Sequence, residues 1–310
     1  MGRRRKKGRP VSGWLILDKP YDMGSTEAVA KAKWLFQAQK AGHAGTLDPL
    51  ATGVLPIAFG EATKTAPYIM DTKKRYRFTA RWGEARSTDD AEGEVIATSD
   101  KRPMRDEIEA VLGQFTGEIE QAPPQFSAVK IGGERAYDIA RDGEDVELQP
   151  RSISIHELII ADTPSADETV FEAVTGKGAY VRALVRDMAQ ALGTQGHVSE
   201  LRRLAVGPFR AADGVTIEAL EALSLLEDRD AVLTPITEAL AHVPQAAIDG
   251  PQADKLRRGQ AAVISPANAK GVRGGEAGVI PAVLAVLYGE AVAICALDGL
   301  KLKPARVFNL

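Results

Sequence analysis

Apolar residues along this chain fall into runs of three kinds, and each kind predicts a different element. Short unbroken runs at residues 14–17 and 54–59 predict strands, the second of buried character. Between them, Ser25 or Thr26 offers a cap for a helix reaching about residue 37, with Val29, Ala32 and Leu35 turned inward. Helical spacing returns at residues 103–115 through Ile108, Val111, Leu112 and Phe115. It returns again at Leu184, Val185, Met188, Ala189 and Leu192, where Gly193 stops it. Alternation over residues 150–175, through Ile153, Ile155, Leu158, Ile160, Val170, Phe171 and Val174, predicts two strands. Residues 213–240 read as helical and acidic. A linker is expected at 242–250, then short strands at 262–264, 278–288 and 291–297, with a tail through Leu302 and Phe308. The Gly- and Ala-rich stretch at 266–278 reads as a mobile loop.

Composition adds bounds. With 310 residues, 45% hydrophobic and 26% charged, the chain suits a soluble protein of one large domain, or a large one and a small one. The single Cys295 excludes an internal disulfide and suits a reducing compartment. No apolar run approaches the roughly 20 residues that span a bilayer. A cytoplasmic protein without membrane contact is expected. The net charge of −3 does not advertise nucleic acid, but its distribution does. Residues 1–43 hold ten Lys/Arg against three Asp/Glu, a local field able to attract phosphate. The first residues, MGRRRKKGRP, lack apolar periodicity and should be disordered when free, as a solvated tail or a phosphate-binding arm.

The candidate chemistry centres on residues 42–64, GHAGTLDPLATGVLPIAFGEATK. Glycines at 42, 45, 53 and 60 suit a tightly turned loop. Between Gly42 and Gly53 it holds one carboxylate, Asp48, fixed by Pro49 and anchored on the apolar run that follows. The plainer reading is an aspartate that caps local backbone. Lys73–Arg77 place an aromatic, Tyr76, among cations, which suits phosphates and an unstacked base. The plainer reading there is an edge strand with Tyr76 half buried. Near the second helical segment lie Tyr180 and Arg182, and further on Leu201-Arg202-Arg203.

Together these segments resemble the TruB-type tRNA pseudouridine-55 synthases. The loop fits G-H-x-G-x-L-D-P-x-A-x-G-x-L running on to G-x-x-T-K, through His43, Gly45, Leu47, Asp48, Pro49, Ala51, Gly53, Leu55, Gly60, Thr63 and Lys64. Lys19-Pro20, Thr88-x-Asp90-x-x-Gly93, Ser127-Ala128-x-Lys130 with the Gly133–Tyr137 motif and its helix, Gly178-x-Tyr180-x-Arg182 and Leu201-Arg202-Arg203 fit further motifs. Three positions depart: the turn glycine after Lys19-Pro20 comes late, Arg86-Ser87 replaces a Thr-Asp pair, and Phe126 replaces a tyrosine.

The resemblance implies Asp48 as the catalytic residue. It implies His43, Tyr76, Tyr180, Arg182 and Leu201 around the substrate, with Arg182 against Asp48. Lys19, Lys64 and Lys130 are candidates for RNA contact or support, and no chemistry attaches to the acids of residues 88–92. The implied fold is α+β: a mixed, largely antiparallel central sheet flanked by helices, with a small C-terminal β-rich unit of PUA type. The implied organisation is a basic tail at 1–12, a catalytic domain at 13–243 able to fold alone, and an RNA-binding unit at 244–310. The implied reaction isomerises a flipped-out uridine in the T-arm of tRNA, with no cofactor, no metal and no obligatory protein partner. Three rivals fit parts of the sequence: an RNA-binding or RNA-folding module, a guide-RNA-dependent synthase, and a hydrolase with paired carboxylates, which lacks a second acid in the loop.

Overall fold

An apolar run such as residues 54–59 must be covered on both faces, and the chain achieves this by setting it inside a sheet. The computed structural model describes residues 8–127, 130–131, 134–135, 148–273 and 278–310. β1 (Gly13–Lys19) leads to α1 (Ser25–Leu35), β2 (Ala41–His43) and β3 (Ala51–Phe59). After α2 (Ala66–Met70) come β4 (Lys74–Trp82), the hairpin of β5 (Glu84–Arg86) and β6 (Val95–Thr98), α3 (Arg105–Val111) and β7 (Gly117–Gln121). A ribbon of β8 (Lys130–Ile131) and β9 (Glu134–Arg135) precedes the long hairpin of β10 (Arg151–Ser165) and β11 (Glu168–Thr175). Next follow α4 (Val181–Ala191), β12 (Gly196–Val206) and β13 (Phe209–Arg210).

The sheet order is β1-β3-β12-β4-β11-β10-β7, with β2 beside β3 and β13 beside β12. All its pairs are antiparallel except β12 with β3. That parallel pair sets Leu201 opposite Ala51, at the exit of the glycine loop. On the other side of β12, β4 sets Tyr76 opposite Arg203. The fold is α+β, as the sequence implied.

Strand alternation divides the core. Val54 and Ala58 of β3 face Trp14 and Phe209, while Leu55, Ile57 and Phe59 face Ala28, Ala32 and Leu35 of α1. Farther along the sheet, Phe78, Trp82 and Phe171 pack under Leu184, Val185 and Met188 of α4. The helix ends at Leu35, and the residue at its cap is Gly24, without a side-chain hydrogen bond. Neither Ser25 nor Thr26 caps it.

The chain continues through α5 (Ile217–Ala222), α6 (Leu226–Ala231) and α7 (Ile236–Ala239). Where a linker was expected, β14 (Gln245–Ala247) pairs in parallel with β16 (Ile280–Leu287), and α8 (Gly250–Arg257) follows at once. Asp249 and Gln252 form a reciprocal capping box at its start. After β15 (Ala262–Val263), the expected mobile loop contains a helix, α9 (Pro266–Arg273); residues 274–277 lie outside the described ones. β17 (Glu290–Asp298) and β18 (Lys301–Val307) complete a second sheet of order β14-β16-β17-β18-β15.

Residues 1–7 of the basic tail, and residues 128–129, 132–133 and 136–147 with most of the Gly133–Tyr137 motif and the helix expected after it, lie outside the described residues. The rest of the tail is fixed rather than free. Arg9 pairs with Asp230 at 2.6 Å and donates to the Phe36 carbonyl, and Val11 is buried.

The two sheets share one apolar cluster. Trp14, Val54, Ala58, Val206 and Phe209 pack with Val243, Leu284, Ile294 and Phe308. Lys64 strengthens the seam, pairing with Glu61 at 2.6 Å and donating to the Val307 carbonyl at 2.7 Å, while Glu61 also accepts from Asn309 N. This shared core argues against a catalytic unit that folds alone, because a chain ending near Val243 would bare one side of it. Phe308 is 2% exposed. Phe308→Ala should lower stability by about 3 kcal/mol, read from the urea midpoint with an unchanged slope. A shift under about 0.5 kcal/mol would show that the tail adds nothing to this core.

Candidate active site

The loop between β2 and β3 is built from its backbone outward. Arg203, 2% exposed, reaches under it from β12. Its guanidinium donates to the carbonyls of Gly45 and Thr46, each at 3.1 Å, and of Val54 at 2.8 Å. Ser25 donates its hydroxyl to the Leu47 carbonyl at 2.7 Å and accepts the Leu47 N–H at 2.8 Å. The Asp48 carbonyl accepts from Ala51 N at 3.1 Å. Lys19, fully buried, donates to Pro49 O at 3.1 Å and to Pro20 O and Met23 O at 2.8 and 2.7 Å. The turn after Lys19-Pro20 is thereby tied to the residue after Asp48. Gly53 stands where β12 comes closest: its φ is +99°, and a Cβ would collide with the Arg203 backbone.

Arg182, in the first turn of α4, aims at the loop's carboxylate. Its Nε lies 2.9 Å from Asp48 Oδ2. The rest of the guanidinium is held from behind by the Thr88 carbonyl at 2.8 Å, the Phe126 carbonyl at 2.9 Å and Asp90 at 3.5 Å. The Arg182 side chain is 6% exposed and that of Asp48 38%, so the pair presents its carboxylate to the opening. Gln121 fixes the neighbouring Tyr180 backbone twice, accepting its N–H at 2.8 Å and donating to its carbonyl at 3.1 Å. Burial raises the Tyr180 phenol above its usual range, and the Asp48 charge adds to that, so the hydroxyl stays protonated.

These groups surround a cleft of about 320 Å³, within the usual size for a small-ligand site. Asp48, Tyr76, Tyr180, Arg182 and Leu201 line it together with Met70 and Lys74. A larger hollow of about 860 Å³ beside Trp34 and Leu35 contains none of them.

Not every candidate comes to the cleft. His43 sits on β2 opposite Ile57 and is not among the lining residues. Lys19 supports the turn and loop rather than facing RNA, and Lys64 serves the seam between sheets. The Lys130 side chain lies outside the described residues. Lys74, expected among phosphate-binding cations, is 7% exposed and turns inward to the Met70 and Thr72 carbonyls. Asp90, one of the acids to which no chemistry was attached, is buried behind Arg182. Arg203, Ser25 and Gln121 were not singled out for the loop. The Leu-Arg-Arg run marked the segment of Arg203, and the Thr88/Asp90/Gly93 pattern that of Asp90, but nothing local marks a serine or glutamine as a backbone clamp.

Residues 33–181 match the family model described as TruB family pseudouridylate synthase, N-terminal domain. Residues 182–241 match that of the tRNA pseudouridylate synthase B C-terminal domain. The chain belongs to the TruB family of pseudouridylate synthases. It is 52% identical to the tRNA pseudouridine synthase B of Agrobacterium fabrum, covering 99% of this chain and 97% of that one. With the protein of the same name from Caulobacter vibrioides it shares 50% identity over 99% of each. A chain in a crystal structure of a Cbf5–Nop10–Gar1 complex aligns with TM-score 0.71 and 25% identity, covering 96% of this chain and 85% of that one. A chain in an H/ACA ribonucleoprotein bound to a substrate RNA containing 2′-deoxyuridine has the same fold, with TM-score 0.71 at 21% identity over 100% and 92%. The TruB motifs and the cleft thus coincide in one place.

Two outcomes test this geometry. Arg182→Met should slow turnover roughly 100-fold, the low end of stripping a partner from a buried charge because Asp48 is part-exposed. Arg182→Lys should recover only part, since an ammonium lacks the planar fork. Equal rates for all three proteins would detach Arg182 from the chemistry.

The second outcome concerns pH. Burial pushes the ammonium groups of Lys19 and Lys74 down to about 8, with Asp48 pulling Lys19 back up and Arg203 pressing Lys74 further down. Below that pH both are charged whether folded or unfolded. Between about 8 and an unfolded value of about 10.4, the unfolded chain binds more protons, so these groups make the fold more stable as pH rises. Lys74→Met lacks its share. The wild type should gain on Lys74→Met in urea midpoint between about pH 8 and 10; parallel curves would show an unshifted lysine.

Proposed function

We propose that this protein isomerises uridine 55, in the T-arm of tRNA, to pseudouridine, acting alone in the cytoplasm and without a cofactor. The observation that carries the reading is the Asp48–Arg182 pair at 2.9 Å, opening on a cleft lined by Tyr76, Tyr180 and Leu201. Names of close relatives support tRNA as the substrate class.

The chemistry asks for an ionised carboxylate beside the nucleotide. Asp48 supplies the carboxylate, and Arg182 holds it aimed, with a counter-charge 2.9 Å away. The N1 glycosidic bond breaks, the uracil turns, and C5 bonds to the ribose C1′. C5 gives up its proton and N1 takes one up, so atoms and electrons balance without an oxidant or donor. A uridine in a folded loop must first be turned out, at a cost of a few kcal/mol. Stacking on Tyr76, worth about 1–3 kcal/mol, is of the size to offset this. Leu201 and the Tyr180 ring give the base apolar walls, and a protonated Tyr180 adds no second negative charge.

Tritium release from C5-labelled uridine in an unmodified tRNA transcript tests this with the protein alone. Release should appear without any guide RNA, and pseudouridine should map to position 55. Asp48→Asn keeps shape and loses charge, so release should fall to background while tRNA binding survives. Retention of about a tenth of the wild-type rate would remove Asp48 from catalysis. Activity only with added RNA or protein would favour the guide-dependent reading.

A further inference from the structure

α4 carries a second arginine, Arg186, one turn beyond Arg182. It donates to Asp89 Oδ2 at 3.1 Å, to the Ala122 carbonyl at 2.8 Å and to Asp187 at 2.9 Å. Arg182 grips the same two segments: Thr88 O and Asp90 on one, Phe126 O on the other. One helix turn therefore clamps residues 88–90 and 122–126 twice over. Neither Asp89 nor Arg186 lines the cleft.

Asp89 is placed for this by its backbone. Its φ is +59°, its N–H bonds to Arg86 O, and its carbonyl accepts from Val198 N on β12 at 3.0 Å. Fixing this residue fixes the direction of the carbonyl before it and the carboxylate after it, the two groups that stand behind Arg182. The pair is largely buried, with side chains 16% and 24% exposed. Burial pushes the Asp89 carboxyl above the usual range, and Arg186 and Arg182 only partly pull it back. When burial outweighs pairing, an ion pair adds little stability. Its contribution is placement.

We propose that Asp89 and Arg186 form a positioning pair for the isomerisation: they hold the 88–90 turn against α4 so that Arg182 stays aimed at Asp48. The proposal rests on the isomerase reading above, so its test includes a measurement that needs no activity. Asp89→Asn suits it, because asparagine adopts the left-handed region readily and keeps the size. Arg186→Lys keeps charge, and Arg186→Gln removes it.

In the full-length protein, single-turnover rates at saturating tRNA should fall about tenfold for Asp89→Asn and Arg186→Gln, as expected within a coupled network. Affinity for tRNA should stay within about twofold, and Arg186→Lys should recover part of the rate. Asp89→Asn combined with Arg182→Lys should be faster than the product of the two single losses. By hydrogen exchange, the bonded amides of Leu47, Ala51 and Val198 should open faster in Asp89→Asn, while those of residues 280–307 stay as in the wild type. Unchanged exchange at Leu47 and Ala51 with an unchanged rate would overturn the proposal. So would faster exchange throughout the chain, which marks a general loss of fold. An inactive wild type would instead sink the isomerase reading, and the exchange data would still decide the pair.

Discussion

Each of the five successive carbonyls from Gly45 to Pro49 accepts a hydrogen bond, and the site depends on that constraint. Arg203 takes the first two, Ser25 the third, Ala51 N the fourth and Lys19 the fifth. A loop of this kind cannot use a neighbouring strand to satisfy its backbone, and each orphaned carbonyl would cost about 1–3 kcal/mol. Side chains from β1, α1 and β12 do the work that a ladder does elsewhere. The result is a carboxylate that is part-exposed on a backbone that is not free to move. Substrate can then meet Asp48 without the loop being ordered at that moment.

Much of this was legible in the sequence where a residue's identity and its motif agreed. Asp48, Tyr76, Tyr180, Arg182 and Leu201 are brought to one cleft from four stretches of chain. The supports were harder to read because they act against their type. Lysine and arginine are surface residues by default, so Lys19, Lys74 and Arg203 gave no local sign of burial. Their burial depends on carbonyls supplied by other segments. In the C-terminal part the error was different. Pro244 and Gly250 suggested a linker, yet Asp249 three residues ahead of Gln252, with Pro251 in the first turn, is a helix start. Residues 266–278 read as a loop for their glycines, but three of these follow residue 273, and within 266–273 Gly271 stands against Ala267 and Ala269, which favour helix.

Lys64 illustrates how a motif residue changes meaning once the fold is known. It stands in the G-x-x-T-K string, close in sequence to the loop, and could have reached RNA. Instead it links Glu61 to the last strand of the second sheet. The motif thus extends from the Asp48 loop to the seam, through β3, whose Val54 and Ala58 belong to the shared core. Conditions that loosen the second sheet therefore act on the strand that anchors Asp48, although no residue of that sheet lines the cleft.

Charge placement also explains how a mildly acidic protein can attract a polyanion. Apart from the exposed Lys177–Asp71 pair, the cleft lining and the side chains bonded directly to its loop or to Arg182 hold Lys19, Lys74, Arg182 and Arg203 against Asp48 and Asp90. The surplus is positive, and it sits in low-dielectric surroundings where it is weakly screened. Lys19, Lys74 and Arg203 are held by backbone carbonyls, which carry no net charge to cancel them. Among the described residues, Arg182 is the one of the four in direct contact with a carboxylate. An RNA's phosphates would thus meet a positive field at the cleft, while Asp48 keeps Arg182 as its partner. Burying cations on carbonyls rather than on acids separates attraction of the RNA backbone from control of Asp48.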